Sequence, residues 1–134
     1  MPKFDDITVG TELPALSVPV TVALVTGGAI ATRDYFPGHH ALEAARALGS
    51  PHIFMNILTT NGLVQRFVED WAGPQARLCD LKIKLGMPNY PGDTMKFSGQ
   101  VAAKSDADKT IEISFKGSNS MGSHVTGSAK VQLP

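Results

Sequence analysis

Residues 53–71, IFMNILTTNGLVQRFVEDW, decide the fold because they form the longest stretch of the chain with one consistent periodicity. Apolar side chains recur here at intervals of three and four residues, which is the spacing of one face of an α-helix. They are Ile53, Ile57, Leu63, Val64, Phe67, Val68 and Trp71. Residues 72–74, Ala-Gly-Pro, end the pattern. The stretch therefore predicts one long central helix over 53–71.

The residues after this helix change to the periodicity of β-strands. Apolar and polar residues alternate in four segments, 76–86, 94–104, 109–119 and 123–133, which turn signals separate. Cys79 falls in the first segment, and we expect it to be a small core residue. The pattern predicts four consecutive antiparallel strands.

The residues before the helix combine a strand with short helical pieces. Residues 17–25, SVPVTVALV, alternate and are rich in β-branched side chains, so they favour a strand that ends before Gly27-Gly28. Residues 29–32 are able to begin a short helix. Residues 41–48, ALEAARAL, are almost all strong helix formers and stop at Gly49, which predicts a second short helix.

The order of these elements predicts an α+β architecture. A strand, then helices, then an antiparallel meander gives a curved sheet wrapped around the long helix, which is the plan of the hot-dog fold. No repeat or linker divides residues 1–134, so we expect a single domain. The exposed edges of a sheet of about five or six strands favour an oligomer.

Composition excludes several classes of function. Twelve basic and twelve acidic residues give a formal net charge of zero, so attraction to nucleic acid or to an acidic membrane is not expected. The single cysteine fits a reducing compartment. Residues 1–10 carry acids where a signal peptide needs an apolar core, and no apolar run approaches the roughly 20 residues that span a bilayer. We expect a cytoplasmic protein without a membrane partner.

Residues 31–40, ATRDYFPGHH, gather the side chains best suited to proton transfer. Pro37-Gly38 bends the chain between Asp34 and His39, so the carboxylate and the imidazole are able to converge on one water. The alternative is purely local. In it, Asp34 caps the turn and His39 caps the helix that begins near Ala41. Spacing alone leaves both interpretations open.

Other polar residues carry weaker signals. His40 makes an adjacent pair of histidines, but no third ligand stands at a recognised spacing, and no metal site is predicted. Arg33 binds a phosphate, pairs with Asp34 or, as is usual for an arginine, is solvated. We expect His52 and His124 to be structural. The loop 86–93 lies between strands, where ligand contacts often occur.

The chain resembles the MaoC-like (R)-specific enoyl-CoA hydratases and dehydratases, which have the hot-dog fold. In that family an Asp is followed, after four residues that include a Pro, by a His, then by a short Ala-rich helix and the long central helix. Asp34 and His39 match this motif, 41–48 and 51–58 match the two helices, and 85–94 matches the following strand, proline-bearing loop and Gly-Asp turn. The resemblance covers nearly the whole chain.

Four segments are similar more narrowly to the small subunit of bacterial two-component hydratases that act on steroid side-chain enoyl-CoA thioesters. They are ATRD (31–34), IFMNILT (53–59), GLVQRFVEDWAGP (62–74) and FSGQV (97–101). In that group the small subunit carries the Asp and the His and associates with a second hot-dog chain, often fused to a DUF35-type domain. The resemblance implies either this hetero-oligomer or a homodimer.

The resemblance also implies how the site residues divide the reaction. Asp34 acts as general base on a water, while His39 orients that water and helps to pass a proton to C2 of a trans-2-enoyl-CoA. The backbone N–H of Asn56 holds the thioester oxygen. No metal or redox cofactor is needed. The chain departs from the wider family by Phe36, where most members have Asn, and by Met55-Asn56, where they have His-Gly.

Two alternatives share this fold and this class of substrate. One is a non-catalytic acyl-CoA-binding subunit, against which the presence of both Asp34 and His39 argues. The other is an acyl-CoA thioesterase, which attacks the carbonyl carbon instead of the alkene. Enoyl absorbance and free thiol, followed together, separate hydration from thioester cleavage.

Overall fold

The computed structural model describes residues 1–134, which run through one short strand and three helices before four long strands. The elements are a 3-10 turn at Phe4–Asp6, β1 Leu16–Pro19, α1 Val22–Ala31, a second 3-10 turn at Pro37–His39, α2 Leu42–Ala47, α3 Ile57–Ala72, β2 Arg77–Leu85, β3 Thr94–Ser105, β4 Thr110–Asn119 and β5 Gly122–Gln132. This order confirms the predicted α+β class. None of the helices is long and apolar enough to cross a membrane.

The five strands form one antiparallel sheet in the order β1-β3-β4-β5-β2. The prediction of a four-stranded meander is right for β3, β4 and β5 and wrong for β2. Strand β2 pairs with β5, for example Leu81 with Ala129, and not with its sequence neighbour β3. The connection over 86–93 is long enough to carry the chain across the end of the sheet. The position of β2 at the edge of the sheet therefore depends on its pairing with β5, which lies far away in sequence.

The apolar stripe of α3 is buried against the sheet. Val64, Phe67 and Val68 are at most 2% exposed. The ring of Phe67 stacks on Phe97 of β3, with the two centroids 5.4 Å apart and the planes inclined by 17°. Aromatic pairs of this kind add about 0.5–1.5 kcal/mol to the free energy of burial. The predicted stripe over 63–68 is thus the contact that holds the central helix on the sheet, whereas Ile57, which was predicted to belong to it, is 48% exposed.

The predicted strand over 17–25 is wrong beyond Pro19. Helix α1 begins at Val22, and the side chain of Thr21 caps it by accepting a hydrogen bond from the Leu24 N–H at 3.0 Å. The two glycines at 27 and 28 lie inside this helix and do not interrupt it. The N-cap therefore overrides the β-branched pattern of the segment.

The predicted central helix begins later than residue 53. Residues 53–56 are not helical, and the Met55 N–H donates to Asn89 O at 3.1 Å. Asn56 is the N-cap of α3, because its side-chain oxygen accepts from the Thr59 N–H at 3.0 Å. The predicted end is confirmed, since Gly73 follows α3 with a φ of 84°. Helix α2 is confirmed as well.

Cys79 is exposed, so the prediction of a small core residue is wrong. The register between β2 and β5 shifts between Leu78 and Asp80. Such a bulge leaves one residue out of the alternation between the two faces of the sheet. Cys79 is that residue, and its side chain faces solvent.

Two neighbouring glycines of α1 allow a matched test of helix packing. A Cβ on Gly28 would clash with the Thr59 hydroxyl, which is held by the Asn56 side chain. A Cβ on Gly27 would meet nothing within 4 Å. We expect Gly28→Ala to lower the free energy of unfolding by about 1–3 kcal/mol. Gly27→Ala should raise it by up to about 1 kcal/mol through helix propensity. Urea denaturation measures both changes, and equal stability of the two variants would contradict the described contact.

His124 is buried beneath the first turn of α3. The side chain is 4% exposed, its Nδ1–H donates to Met87 O, and its Nε2 lies 2.9 Å from the Thr60 hydroxyl. The Met87 carbonyl is only able to accept, so the neutral ring accepts at Nε2 from Thr60. Burial lowers the pKa of His124 below 6.5, although the bond to Met87 opposes this.

Because its pKa is lower in the folded state, His124 makes stability depend on pH. Above about 6.5 the residue is neutral in both states and contributes nothing to the dependence. As the pH falls below that value the unfolded chain binds a proton that the folded chain does not, and stability is lost. We expect His124→Gln to lower the free energy of unfolding by about 1–3 kcal/mol at pH 7.5. The variant should also lose less of its remaining stability than the wild type between pH 7.5 and 5.5. Denaturation at the two pH values checks this; an unchanged pH dependence would oppose it. Carboxylates titrate below this window, near 4.

Candidate active site

The position of Asp34 is set by the way α1 ends. The Asp34 N–H donates to Ala29 O at 2.8 Å and the Arg33 N–H donates to Ile30 O at 3.0 Å, which is the bonding pattern of a Schellman motif. Arg33 occupies the left-handed position with a φ of 57°, where glycine is usual. Its side chain makes no salt bridge. The residue thus places Asp34 through its backbone.

His39 is held in one orientation by a backbone carbonyl and two aromatic rings. It is 7% exposed, and its Nδ1 lies 2.7 Å from Phe54 O. Because a carbonyl only accepts, Nδ1 carries a proton and the neutral ring has its free lone pair on Nε2. Phe36 and Phe54 pack edge-on to the imidazole, with centroids 5.4 and 4.8 Å away. Nε2 of His39 therefore has a fixed direction.

The structure places the carboxylate of Asp34 next to this nitrogen. Oδ2 of Asp34 lies 3.3 Å from Nε2 of His39. The 3-10 turn Pro37–His39 makes the bend between them, and a Cβ on Gly38 would come within 2.9 Å of the Phe54 ring. The spacer predicted from sequence thus brings the two side chains together. The Asp34 side chain stays 30% exposed, so it is accessible to water.

The alternative interpretation, in which Asp34 caps the turn and His39 caps the next helix, agrees with only part of the geometry. Oδ1 of Asp34 accepts from the Phe36 N–H at 3.2 Å, so the residue does cap its turn. His39 does not cap α2, since the N-cap of that helix is Ala41. His40 precedes the N-cap of α2, and its Nε2 lies 2.7 Å from Asp34 O, where it donates to the backbone that carries the carboxylate.

The side chain of Asn56 is a contact that the sequence did not predict. Its Nδ2 donates to Asp34 Oδ2 at 3.1 Å and to Thr32 Oγ1 at 2.9 Å. The residue is 2% exposed. Asn before a helical stripe is a signal for an N-cap, but its contact with Asp34 spans 22 positions and has no local signal.

Hydrogen bonds keep Asp34 ionised. The Asn56 amide and, to a smaller extent, the Phe36 N–H lower the pKa of Asp34 below 3.8, and the nearby His39 and His40 add to this against the opposing effect of burial. At neutral pH the site therefore presents an ionised carboxylate beside Nε2 of His39.

The N-terminus of α3 carries a free donor next to this pair. The Asn56 N–H makes no hydrogen bond within the chain. It lies at the positive end of the dipole of a 16-residue helix. This is the group to which the resemblance assigns the thioester oxygen.

The loop 86–93 contacts the residues just before α3. Asn89 is fully buried, its backbone oxygen accepts from the Met55 N–H, and its side-chain oxygen accepts from Asn119 at 2.9 Å. His52 accepts a bond from the Ile53 N–H and does not approach the pair. No group of three or more His, Cys, Asp or Glu side chains is arranged so that it could hold a metal ion.

The surroundings of the pair are apolar and open. The exposed fractions are 70% for Tyr35, 47% for Phe36, 48% for Ile57 and 48% for Leu58. These four side chains flank Asp34, His39 and Asn56 in the chain and are called the apolar rim below. A cavity of about 690 Å³ lies elsewhere, between residues 12–15 and the strands β3 and β4. Of the pair, His39 is thus buried and the Asp34 side chain stays partly exposed beside this rim.

Comparison with known proteins places this geometry among hydratases. No family model matches the chain. The 3-oxo-4,17-pregnadiene-20-carboxyl-CoA hydratase beta subunit of Mycobacterium tuberculosis (strain ATCC 25618 / H37Rv) is 42% identical over 125 residues, which are 93% of this chain and 95% of the relative. A chain in the crystal structure of the ChsH1-ChsH2 complex from Mycobacterium tuberculosis superposes with a TM-score of 0.92 at 42% identity, covering 95% of this chain and 98% of that one.

More distant structures share the architecture. An (R)-hydratase from A. caviae involved in PHA biosynthesis has a TM-score of 0.88 at 20% identity, over 96% of this chain and 98% of that one. R-hydratase PhaJ1 from Pseudomonas aeruginosa has a TM-score of 0.90 at 16% identity, over 98% and 85%. These likenesses confirm the predicted hot-dog fold.

Proposed function

The chain belongs to the MaoC-like enoyl-CoA hydratases, in the group of the steroid side-chain hydratase beta subunits, and on this premise we propose that it supplies the acid and the base that hydrate a steroid side-chain trans-2-enoyl-CoA. The observation that carries the proposal is the 3.3 Å approach of Asp34 Oδ2 to His39 Nε2. The name of the 42% identical relative supports the class of substrate.

The geometry is suited to activating a water. An ionised carboxylate oxygen and an unprotonated imidazole nitrogen are both acceptors, so a water that touches both donates its two hydrogens to them. The lone pairs of that water then point away from Asp34 and His39, towards the exposed side of the site. A bound enoyl group whose C3 lies on that side meets an oriented nucleophile.

The residues present account for every proton and electron pair that moves when water is added. Asp34 takes a proton as the water oxygen bonds to C3, and the π electrons of the alkene move through C2 onto the thioester oxygen. The Asn56 N–H, with the dipole of α3 behind it, stabilises the enolate that forms, a role that is worth roughly 3 kcal/mol per donor in other enzymes. The proton returns to C2 through His39 Nε2. The product is a 3-hydroxyacyl-CoA, the reverse reaction is dehydration, and the scheme needs no cofactor.

A second hot-dog subunit is part of the proposal. The apolar rim and part of the Asp34 side chain are exposed, and edge strand β2 pairs on one side only. A partner of the same fold is able to cover such a surface and to complete a pocket for a bulky acyl group. The related crystal structure is a complex of two proteins, ChsH1 and ChsH2, which supports a hetero-oligomer.

The proposal is tested with the chain reconstituted with its partner. Enoyl absorbance and free thiol are followed in the same sample of steroid enoyl-CoA. We expect loss of enoyl absorbance without thiol release. Thiol release would identify a thioesterase, whereas tight binding of the thioester without either change would identify a non-catalytic subunit.

A further inference from the structure

The side chain of Asn56 joins the proposed base to the first turn of the central helix. We propose that Asn56 is a positioning residue, whose amide holds Oδ2 of Asp34 in the direction that the water requires. This inference rests on the proposed function of Asp34. It assigns to the Asn56 side chain a role separate from that of its backbone N–H.

The orientation of the amide is settled by its neighbours. The Thr59 N–H is a donor and lies 3.0 Å from one end of the amide, so that end is the oxygen. The other end is therefore the NH₂ group, and it faces Asp34 Oδ2 at 3.1 Å. Exchange of the two ends would set donor against donor at Thr59 and acceptor against acceptor at Asp34.

The amide is also fully bonded, which removes its freedom to rotate. Its second N–H donates to Thr32 Oγ1, and that hydroxyl donates in turn to Gly28 O at 2.8 Å. The amide oxygen accepts from the Thr59 hydroxyl as well as from its N–H. Every hydrogen-bonding group of a side chain that is 2% exposed is thus satisfied. Asn56 therefore links the end of α1, the start of α3 and Asp34.

Two residues of this arrangement differ from those at the same positions in most of the wider family. Phe36 stands where most members have a polar residue, and it packs on the His39 ring. Asn56 stands where they have a glycine, which has no side chain to offer. The polar contact to Asp34 thus comes from the start of the central helix.

Three variants separate positioning from capping. Ser caps helices well and keeps the bond to the Thr59 N–H, but it has no NH₂ group, so Asn56→Ser removes the bonds to Asp34 and Thr32 and retains the cap. We expect its kcat in the reconstituted complex to fall about 10- to 100-fold, with KM changed less than about threefold. Asn61→Ser, on the same helix and without a side-chain hydrogen bond, is the matched control and should match the wild type.

Asn56→Asp provides a readout that a purely structural role would not move. An ionised Asp at 56 keeps the cap but faces Asp34 with a like charge, whereas a protonated one is able to donate to Oδ2 as the amide does. His39 and His40 are the other titratable groups beside this pair. We expect the ratio of the variant kcat to the wild-type kcat to rise severalfold from pH 8 to pH 6. The ratio for Asn56→Ser should stay flat.

The outcomes distinguish this inference from the proposed function. If Asp34→Asn abolishes hydration while Asn56→Ser keeps the wild-type kcat, the positioning role is overturned and the function stands. If Asp34→Asn is fully active, the function fails. In that case a carbon NMR titration of the Asp34 carboxyl in the full chain still tests the contact. The contact predicts a higher Asp34 pKa in Asn56→Ser than in the wild type, and an unchanged pKa would contradict it.

Discussion

Asp34→Asn lowers the kcat for hydration about 100- to 10,000-fold in the reconstituted complex, if Asp34 is the base that takes the proton from water. The amide oxygen of Asn is still able to accept from the Phe36 N–H, so the turn is retained. What is lost is the negative charge beside His39 Nε2, together with the bond from the Asn56 amide, because the new NH₂ group takes the place of Oδ2. Steady-state kinetics and circular dichroism check the two halves of this expectation.

Asp70→Asn is the matched control for this loss. Asp70 lies at the end of α3 in an exposed pair with Arg66, with Nε and Oδ2 3.5 Å apart. Exposed pairs of this kind contribute at most about 1 kcal/mol to stability. We expect its kcat to equal that of the wild type. Near-wild-type turnover by Asp34→Asn would end the assignment of the base.

His39→Gln is expected to have an effect of the same size, about 100- to 10,000-fold on kcat. The free nitrogen that accepts from the water disappears, and Gln does not reproduce a ring held between Phe36 and Phe54. Because the bond to Phe54 O is also at risk, the free energy of unfolding is measured together with the kinetics. A loss of activity without unfolding at the assay temperature is the expected pattern.

His40→Gln is the comparison that separates the two adjacent histidines. His40 donates to a backbone carbonyl, and the amide of Gln is able to donate to the same Asp34 oxygen. We expect kcat to fall by less than about threefold. Equal losses from His39→Gln and His40→Gln would mean that the turn matters as a whole and that the imidazole of His39 has no separate role.

Local patterns were enough for the parts of the fold that depend on neighbours in sequence. The apolar stripe of α3 and the alternation of β3 to β5 are periodic over many residues, so the elements followed from the sequence. The segment 17–25 was misread because a short β-branched run fits a strand and a buried helix equally well, and the Thr21 cap decides between them. The pairing of β2 with β5 is a contact between distant residues that no local pattern carries.

In the candidate site, too, the contacts between sequence neighbours were predictable and those between distant residues were not. Asp34 and His39 lie on one turn, and the intervening Pro37-Gly38 made their approach predictable from spacing. The contact from the Asn56 amide to Asp34 appears only after α1 and α3 pack together, so the sequence pointed to the backbone N–H and not to the side chain. The tautomer of His39 likewise depends on the Phe54 carbonyl.

The central claim is that this chain supplies the groups that add water to an enoyl thioester. The most direct test is the mass of the product that the reconstituted complex makes from a steroid enoyl-CoA in heavy-oxygen water. We predict one labelled oxygen in the acyl group, with the thioester intact, for the wild type and none for Asp34→Asn. Free CoA, an unchanged substrate with the wild-type complex, or a labelled product from the Asp34→Asn complex would contradict the claim.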